Sequence, residues 1–503
     1  MSLDTYLRPY RNYRRAVPPG PQGRLGGDRH EILRRHEKEC KRYGRLPADE
    51  RRSLHSKLLS RIADTSLLGI AVEHVFENGG GAPGPNGQRL ADLRTHRGNT
   101  VYREITRLKR GILDGSYRPS PPRIREIPKP NGQTRPIAIF NWQDLVVQRS
   151  IVQIVQPLVD PTLARLNFGF RPRRDRNDAV ATAIETANRD ERFVWLAADI
   201  QDAFGTVPHD DLIDLIDARF PNTELRNAPD APNLPDLIAK FLEAHLRTMR
   251  GRNRSSDAPR RGISQGGGLS PLLLNILLDA TLDQAWLARH QDLHLIRYAD
   301  DLLIPCRSRE EGLDALHTLR ELLPGGMRLK GTPENDITDL RAGETVEWLG
   351  WDVSMANEGP VLRPPEWKWT RLEQQLRLER ESGDFPLYVP DIVQGFVAHL
   401  GPCYEQVDRE ACVRRIRRIA NGVGAEEIPE VSEFLELWGQ SHRRFQDQRQ
   451  LARDRIHGDP DDGEGGGDGF ADRQPPRLDW LDEGSLEPSS IACGCPFNPT
   501  DIP

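Results

Sequence analysis

The sequence predicts an α+β protein in which helices pack on one face of an antiparallel sheet. Residues 122–140 contain two alternating runs separated by Asn131-Gly132, which is a strong hairpin signal. Residues 193–200 form a short apolar run that ends in an acid, and residues 294–306 are typical of a strand, a two-residue turn and a strand. Apolar segments with helical periodicity separate these strands, as expected of this fold class.

The helices are predicted in order along the chain. Helical patterns predominate from about 64 to 120, and the Gly/Pro-rich loop at 79–87 interrupts them because glycine and proline forbid a continuing helix. Further helices are predicted over 142–159, 178–188 and 269–290.

The chain of 503 residues is long enough for two or three domains, since single cores rarely grow past roughly 250–300 residues. We predict a basic N-terminal extension (1–63), a unit of helices and strands (64–365), a mainly helical region (366–456) and an acidic tail (457–503). The tail is rich in Gly and Asp, and it cannot bury enough apolar surface to order itself. We therefore expect it to be largely disordered.

The formal net charge of −5 is divided unevenly along the chain. Residues 1–61 contain 16 Lys/Arg against 7 Asp/Glu, a net of +9, and Tyr6, Tyr10 and Tyr13 lie among the arginines. Residues 457–503 contain 2 against 11, a net of −9. The basic end is either a solvated helix face with a flexible arm or a phosphate-binding segment whose aromatic rings stack on bases, and we favour the second interpretation.

The cysteine content and the hydropathy favour a cytoplasmic protein. Six scattered cysteines are too few for a disulfide framework, and the pair Cys493 and Cys495 lacks the further ligands that structural zinc needs. No apolar run approaches the roughly 18 residues of a membrane span. The first residues lack the apolar core of a signal peptide.

Three acids form a candidate metal centre. Asp300 and Asp301 lie at a tight turn between apolar strands, and Asp199 ends its own apolar strand 101 residues earlier. Two adjacent acids at a hairpin tip are by themselves usually solvated turn residues. Nucleotidyl transfer, however, needs two divalent cations about 3.5–4 Å apart, and hard cations prefer carboxylate oxygens.

Residues near the three acids suit a nucleotide substrate. Lys129 and Arg135 lie on the two arms of the predicted hairpin, where cationic side chains can grasp a triphosphate. Gln265 lies in a glycine-rich turn that leads into the helix at 269–290, and glycines allow backbone to approach a base pair closely. We expect Gln265 to contact the template or the incoming nucleotide.

The segments that hold these residues resemble successive blocks of reverse transcriptases, most closely the bacterial group II intron-like lineage. In chain order they are GGAPGPNG, IPKPNGQTRPI, FGFRPRRDRNDAV, ADIQDAFGTVPH, RGISQGGGLSPLLLNILLD, YADD and WLGWDV. The resemblance covers about residues 64–355 and continues more faintly to about 446. Several blocks in the family's order make chance agreement a poor explanation.

The resemblance implies a right-hand polymerase with fingers, palm and helical thumb. It makes Asp199 and Asp300 the principal ligands of two Mg²⁺ ions, with Mn²⁺ as an alternative, and it makes Asp301 their acidic neighbour. The carbonyl of Ile200 is a further ligand by the same resemblance. Lys129 and Arg135 bind the deoxynucleoside triphosphate.

Other roles follow from the same resemblance. Phe204 occupies the place of the ring that blocks a sugar 2′-hydroxyl, and Arg171 holds the template or the fingers. Trp348 and Gly350 lie in a segment that resembles the primer grip. Ordinary packing is the alternative interpretation for each of these residues.

Two positions depart from the pattern of the lineage. Gly205 stands where an acid is common, so local support of the metal site is expected to differ. The lysine that often lies a few residues after Leu329 is replaced by GTPENDITD, which leaves Lys330 as a substitute and the general acid unassigned.

The biological role is open to two interpretations. Outside the tail, 68 basic and 64 acidic residues give only about +4, which is mild for a protein that grips a large structured intron, and no His/Cys-rich nuclease region is recognisable. We therefore favour a domesticated RNA-directed DNA polymerase that copies a dedicated noncoding RNA from a DNA or RNA primer, for example in antiviral defence. The alternative is a maturase or RNA-binding protein that acts in intron splicing or retromobility. Template, priming mode and oligomeric state stay open.

Overall fold

The computed structural model describes ten stretches of the chain. They are residues 29–40, 46–78, 83–90, 99–128, 134–221, 231–250, 260–357, 359–382, 389–425 and 428–457. Lys129, the turn at Asn131-Gly132, the cysteines of the tail and the tail itself therefore lie outside the described residues, so the predictions on them stay predictions. In the described part, no helix is long and apolar enough to cross a membrane.

The first part of the chain is helical, with one hairpin. Its elements are α1 (Arg29–Cys40), α2 (Ala48–Ser56), α3 (Leu58–Ile62), α4 (Thr65–Asn78), α5 (Asn99–Leu113), β1 (Arg123–Pro128), β2 (Thr134–Ile139), α6 (Trp142–Val159) and α7 (Arg176–Asp190). The strands β1 and β2 pair antiparallel, as the hairpin signal predicted. The bounds of α6 match the predicted helix at both ends.

The middle of the chain alternates between strands and helices. Its elements are β3 (Val194–Asp199), α8 (Ala203–Thr206), α9 (His209–Arg219), α10 (Leu234–Arg250), α11 (Ser270–Leu278), α12 (Gln284–Arg289), β4 (Ile296–Tyr298), β5 (Asp301–Cys306), α13 (Arg309–Leu322) and β6 (Ile337–Asp339). A π-helical turn, Asp279–Asp283, joins α11 to α12, where the sequence predicted one uninterrupted helix.

The last part begins with three strands and ends in helices. Its elements are β7 (Val346–Trp348), β8 (Trp351–Ala356), β9 (Gly359–Arg363), α14 (Glu366–Ser382), α15 (Val389–His399), α16 (Arg409–Gly422) and α17 (Val431–His457). The strands β7, β8 and β9 form an antiparallel meander. The predicted helical region from 366 to 456 is confirmed in its described residues.

The central sheet has the strand order β4-β5-β3-β6, and every pairing in it is antiparallel. Side chains of β3 enter two different cores: Leu196 and Ala198 pack in a first core, and Trp195 packs in a second. Helix α13 covers the first face and α7 covers the second. The prediction that helices pack on one face only is therefore wrong. The continuous apolar run of β3 is the pattern of a strand that is buried on both faces.

The helices α1 to α3 belong to the first core, although the sequence placed them in a separate basic extension. Leu54, Leu58 and Ile62 are buried there. The Ser150 hydroxyl of α6 donates to the Ile62 carbonyl at 2.6 Å, and the His36 ring bonds the Ile154 carbonyl at 2.8 Å. The charged side chains that the structure describes on α1 to α3 therefore belong to helices that are fixed to the fold.

The second core continues across the predicted boundary at 365 and joins the sheet to the final helices. Helix α17 packs along α7, where the buried carboxylate of Glu185 accepts hydrogen bonds from Arg449 at 2.5 Å and from Arg453 at 2.8 Å. Near the end of α17, Arg165 donates to the Arg455 carbonyl and Arg189 donates to the Ile456 carbonyl. Cationic groups at this end also suit the helix dipole.

Candidate active site

The predicted acids meet at one edge of the central sheet. Asp199 is the last residue of β3 and lies directly opposite Asp301, the first residue of β5. Asp300 occupies the turn before β5, and its carbonyl accepts a hydrogen bond from the Ile200 N–H at 3.1 Å. The turn is tight because Ala299 adopts a left-handed conformation, with φ of +58°, which residues with a Cβ rarely adopt.

The electrostatics of this edge favour a cation. Burial and, after it, the nearby charge of Asp199 raise the pKa of the Asp300 carboxyl to about 6, although Arg135 and Lys330 act in the opposite direction. Two carboxylates that share a site disfavour each other's charged form, and a divalent cation between them removes this conflict.

Lys330 is a close partner of Asp199. Its Nζ lies 3.4 Å from Oδ2 of Asp199, and its backbone N–H donates to the Asp199 carbonyl at 2.8 Å. Both side chains are partly exposed, at 63% for Lys330 and 37% for Asp199. The lysine therefore faces the same solvent-accessible edge as the acids.

Two of the acids, Asp199 and Asp300, are suited to bind a divalent cation together with a substrate phosphate, and not to enclose the cation with protein ligands alone. Among the described residues, no group of three or more His, Cys, Asp or Glu side chains is placed to hold a metal ion. Mg²⁺ is commonly bound through one or two carboxylates plus substrate phosphates, and Asp199 with Asp300 provides such a pair. The ligand roles of Asp301 and of the Ile200 carbonyl stay predictions.

Phe204 lies close to the acids in the short helix α8. Its half-buried ring contacts Phe170 edge to face, with ring centroids 6.1 Å apart. Asp202 begins the helix with φ of +46°, and its carboxylate folds over Gly205, where a Cβ would lie 2.1 Å from Oδ2 of Asp202. A side chain at position 205 would therefore require the Asp202 carboxylate to move.

The glycine-rich turn with Gln265 joins the hairpin to the helix α11. The Gln265 carbonyl accepts a hydrogen bond from the Ala138 N–H of β2 at 2.6 Å. Gly266 has φ of +105°, and a Cβ there would lie 2.7 Å from the Ala138 carbonyl oxygen. The half-buried Gln265 side chain is thereby placed at the base of the hairpin that contains Arg135. Its contact with template or nucleotide stays a prediction.

The guanidinium of Arg171 forms its hydrogen bonds with nearby groups of the protein. Its Nε donates to the Asp160 carboxylate at 2.7 Å, its Nη2 to the Asp160 carbonyl at 2.8 Å, and its Nη1 to the Ala164 and Asn167 carbonyls at 2.8 and 3.0 Å. These contacts stabilise the segment before α7. They support the role in holding the fingers and not direct contact with a template.

The predicted primer grip is the turn between β7 and β8. Leu349 and Gly350 have φ of +46° and +75°, as in the tight hairpin turns that need two left-handed residues. The ring of Trp348 is only 4% exposed. A contact with nucleic acid at this turn would therefore be made by its backbone, and the nucleic-acid-binding roles of Trp348 and Gly350 stay predictions.

The sequence analysis did not single out Arg297, which is fully buried in β4, two residues before the turn residue Ala299. The available signal was a lone charge inside the apolar strand HLIRYADD, because such a charge is rarely buried unless it is paired. Its acidic partner was not recognisable, since it lies in a segment predicted to be an ordinary helix.

Comparisons with known proteins agree on one family. Residues 127–329 match the sequence profile of the family described as reverse transcriptase (RNA-dependent DNA polymerase). The chain is 30% identical to protein YkfC of Escherichia coli over 228 residues, which cover 44% of this chain and 55% of YkfC. It is 30% identical to the group II intron-encoded protein LtrA of Lactococcus lactis over 177 residues, which cover 35% of this chain and 27% of LtrA.

The chain also has a distant likeness to a solved structure, that of apo telomerase from Candida tropicalis. This match covers 69% of each chain, with a TM-score of 0.36 and 11% sequence identity. The chain spans about half the length of YkfC and about a quarter of LtrA.

Proposed function

We propose that the whole chain is an RNA-directed DNA polymerase of the group II intron-like lineage, because residues 127–329 match the reverse transcriptase family and the chain is similar to the group II intron-encoded protein LtrA. It extends a DNA or RNA primer on an RNA template with deoxynucleoside triphosphates by two-metal nucleotidyl transfer. The parts of a right-hand polymerase are then assigned as follows. The β1–β2 hairpin and α1 to α6 are the fingers, the central sheet is the palm, and α14 to α17 are the thumb.

The observation that supports this proposal is the meeting of four charges at one edge of the palm. Asp199 raises the pKa of Asp300, while Arg135 from the fingers and Lys330 from the palm lower it. These residues come from separate segments of the chain, and each suits one part of a nucleotide substrate. Carboxylates suit divalent cations, and the guanidinium and ammonium suit phosphates.

Asp199 and Asp300 would hold two Mg²⁺ or Mn²⁺ ions, which activate the attacking 3′-hydroxyl and neutralise the leaving pyrophosphate. Arg135, with Lys129 on the other arm of the hairpin, binds and orients the triphosphate. Lys330 lies at the same edge and donates a proton to the departing pyrophosphate. The ring of Phe204 excludes a 2′-hydroxyl, and the backbone of the turn at Gly350 supports the primer.

The proposal also extends to the kind of RNA that the enzyme copies in the cell. A net charge of about +4 over residues 1–456 supports a dedicated noncoding RNA in a domesticated cytoplasmic role, such as antiviral defence, over a large structured intron. The second candidate is maturase activity, which the similarity to LtrA favours.

The first experiment incubates the purified full chain with a primed RNA, the four deoxynucleoside triphosphates, and either Mg²⁺ or Mn²⁺. We expect primer extension that depends on the metal and follows the RNA sequence. A preparation that binds the primed RNA but never extends the primer would overturn the polymerase proposal.

The second experiment purifies the chain from its native host and sequences the RNA bound to it. Enrichment of one noncoding RNA, together with DNA complementary to it, supports the dedicated-RNA role. Recovery of a self-splicing intron supports the maturase instead.

A further inference from the structure

A buried ion pair lies behind the catalytic turn. The side chains of Arg297 and Asp283 are 0% and 5% exposed. The Nε of Arg297 donates to Oδ1 and Oδ2 of Asp283 at 2.8 and 3.0 Å, and Nη2 donates to Oδ2 as well. A planar guanidinium held in this way has a fixed orientation, so its remaining nitrogen is also fixed.

That remaining nitrogen reaches the turn itself. Nη1 of Arg297 donates to the Ala299 carbonyl at 3.1 Å and to Oδ1 of Asn275 at 3.0 Å. Ala299 is the left-handed residue directly before Asp300. Because a conformation of this kind is strained, it persists only when its surroundings enforce it.

The opposite side of the turn is fixed by the segment that contains Gly169. A Cβ on Gly169 would lie 2.1 Å from the Ala299 nitrogen, so the two backbones are in direct contact. The Asn275 amide donates to the Gly169 carbonyl at 2.8 Å. Arg297 and Asn275 thus connect both sides of the turn to α11.

The π-helical turn explains how one helical segment supplies both partners of Arg297. Asn275 comes from the regular helix α11, and Asp283 ends the π-helical turn Asp279–Asp283. Widening the helix changes the direction of the side chains that follow, and such turns are frequent at functional sites.

We propose that Arg297 is a positioning residue: paired with Asp283, it holds Ala299 in its left-handed conformation and thereby sets the place of the Asp300 carboxylate. The inference rests on the proposed function. Stability alone is a weak reason for this pair, because a buried ion pair is often replaced by apolar residues without loss of stability. An apolar side chain could not replace the hydrogen bond from Arg297 to the Ala299 carbonyl, because it has no N–H or O–H group to donate.

The test replaces the pair by an apolar one, Arg297→Met with Asp283→Leu. Its matched control is Arg192→Met with Glu311→Leu, since the Arg192 side chain is 2% exposed and pairs with Glu311 at 2.7 Å near the opposite end of β3. For both double variants one measures thermal unfolding, affinity for a primed RNA, kcat, the Mg²⁺ concentration for half-maximal rate, and amide exchange at Ala299 to Asp301.

We expect the Arg297/Asp283 variant to fold and to bind primed RNA as the wild type does. Its kcat should fall at least about tenfold, because misplacing reacting groups by about 1 Å can cost 100-fold. It should also need more Mg²⁺ and exchange faster at the turn. The control should keep its kcat, its Mg²⁺ requirement and its exchange at the turn.

A folded Arg297/Asp283 variant with wild-type kcat, Mg²⁺ requirement and exchange would overturn the inference. If that variant does not fold, Arg297→Lys decides the matter. A lysine can still pair with Asp283 but lacks the planar fork that also reaches Ala299, so we expect a folded protein with lower kcat and faster exchange at the turn. A wild-type kcat and exchange in Arg297→Lys would likewise overturn the inference. Should the wild type fail to extend primers, the exchange measurement still decides whether Arg297 holds the turn, and the failure counts against the proposed function alone.

Discussion

Lys330 and Asp199 are joined twice, by an ion pair at 3.4 Å and by a backbone hydrogen bond at 2.8 Å from the lysine N–H to the aspartate carbonyl. The backbone contact fixes the main chain of the lysine beside Asp199, and its ammonium lies at the solvent-exposed edge of the site. This arrangement suits a residue that shuttles a proton at the edge of the site.

Replacing Lys330 by Ala should lower the rate of a single nucleotide addition by about 100-fold, the typical size of a general-acid effect. The free energy of unfolding should change by less than about 1 kcal/mol, because the pair is partly exposed. Rapid-quench measurements on a primed RNA give the rate. Lys330→Arg is the informative companion, since an arginine keeps the charge but does not release a proton. Full rescue by arginine would show a purely electrostatic role.

The variant Asp300→Asn should lose at least about 100-fold in primer extension, because a neutral amide cannot replace a carboxylate between two cations. The midpoint temperature of thermal unfolding should not fall, because burial already disfavours the charged form of the Asp300 carboxyl. Asp314→Asn, an exposed acid on α13, is the matched control and should keep wild-type activity. Retention of more than a few per cent of extension in Asp300→Asn would remove Asp300 from the site.

Shrinking Phe204 to Ala should raise the use of ribonucleotides relative to deoxynucleotides by about tenfold or more, the usual scale for a steric filter. Competition assays with paired nucleotides measure the ratio of kcat/KM values. Phe204→Tyr keeps the ring and should keep the discrimination. Unchanged discrimination in Phe204→Ala would mean that the ring only packs against Phe170.

Removing residues 1–28 should weaken RNA binding and flatten its salt dependence. These residues hold 5 Lys/Arg and 2 Asp/Glu, and the deletion stops before α1, which belongs to the first core. Each lost phosphate contact lowers the salt slope by about 0.7–0.9. Filter binding at several salt concentrations measures the slope. Removal of residues 458–503 takes away negative charge and should leave the affinity for RNA equal or higher. Equal salt slopes for the full chain and the 1–28 deletion would show that residues 1–28 do not bind RNA.

Asp144 gives the fold a pH dependence. Its carboxyl accepts a hydrogen bond from Tyr117 at 2.6 Å, but burial outweighs this and raises its pKa from 3.8 to about 6. The folded protein therefore binds this proton more tightly than the unfolded chain does. The resulting stability is present below about pH 4 and is lost as the pH rises through 6.

Asp144→Asn should remove this dependence, because an amide does not titrate, while its oxygen can still accept the hydrogen bond from Tyr117. Relative to wild type, the variant should gain up to about 2–3 kcal/mol in free energy of unfolding between pH 4 and 7. Urea titrations at several pH values measure it, and the exposed Asp210→Asn is the control. A stability difference that does not vary with pH would contradict the shifted pKa.

Local patterns predicted the parts of the fold that local physics decides. The helix α6 and the β1–β2 hairpin follow from periodicity and turn chemistry, and Asp199 follows from an apolar strand that ends in an acid. The π-helical turn and the pair of Arg297 with Asp283 depend on tertiary packing, which adjacent residues do not encode. For the same reason the sequence left the partner of Lys330 open, since Asp199 lies 131 residues away.

The docking of α17 on α7 has a consequence for biogenesis. The second core joins Phe168 to Ala452, so a ribosome completes the whole palm before the helix that covers α7 exists. During that interval, the carboxylates of Asp178 and Glu185 on α7 lack the arginines of α17 that pair with them, and the second core lacks the buried apolar residues of α17. Nascent chains of this protein should therefore be clients of ribosome-bound chaperones. A minimal polymerase truncated before Val431 would keep that exposed surface permanently and should aggregate.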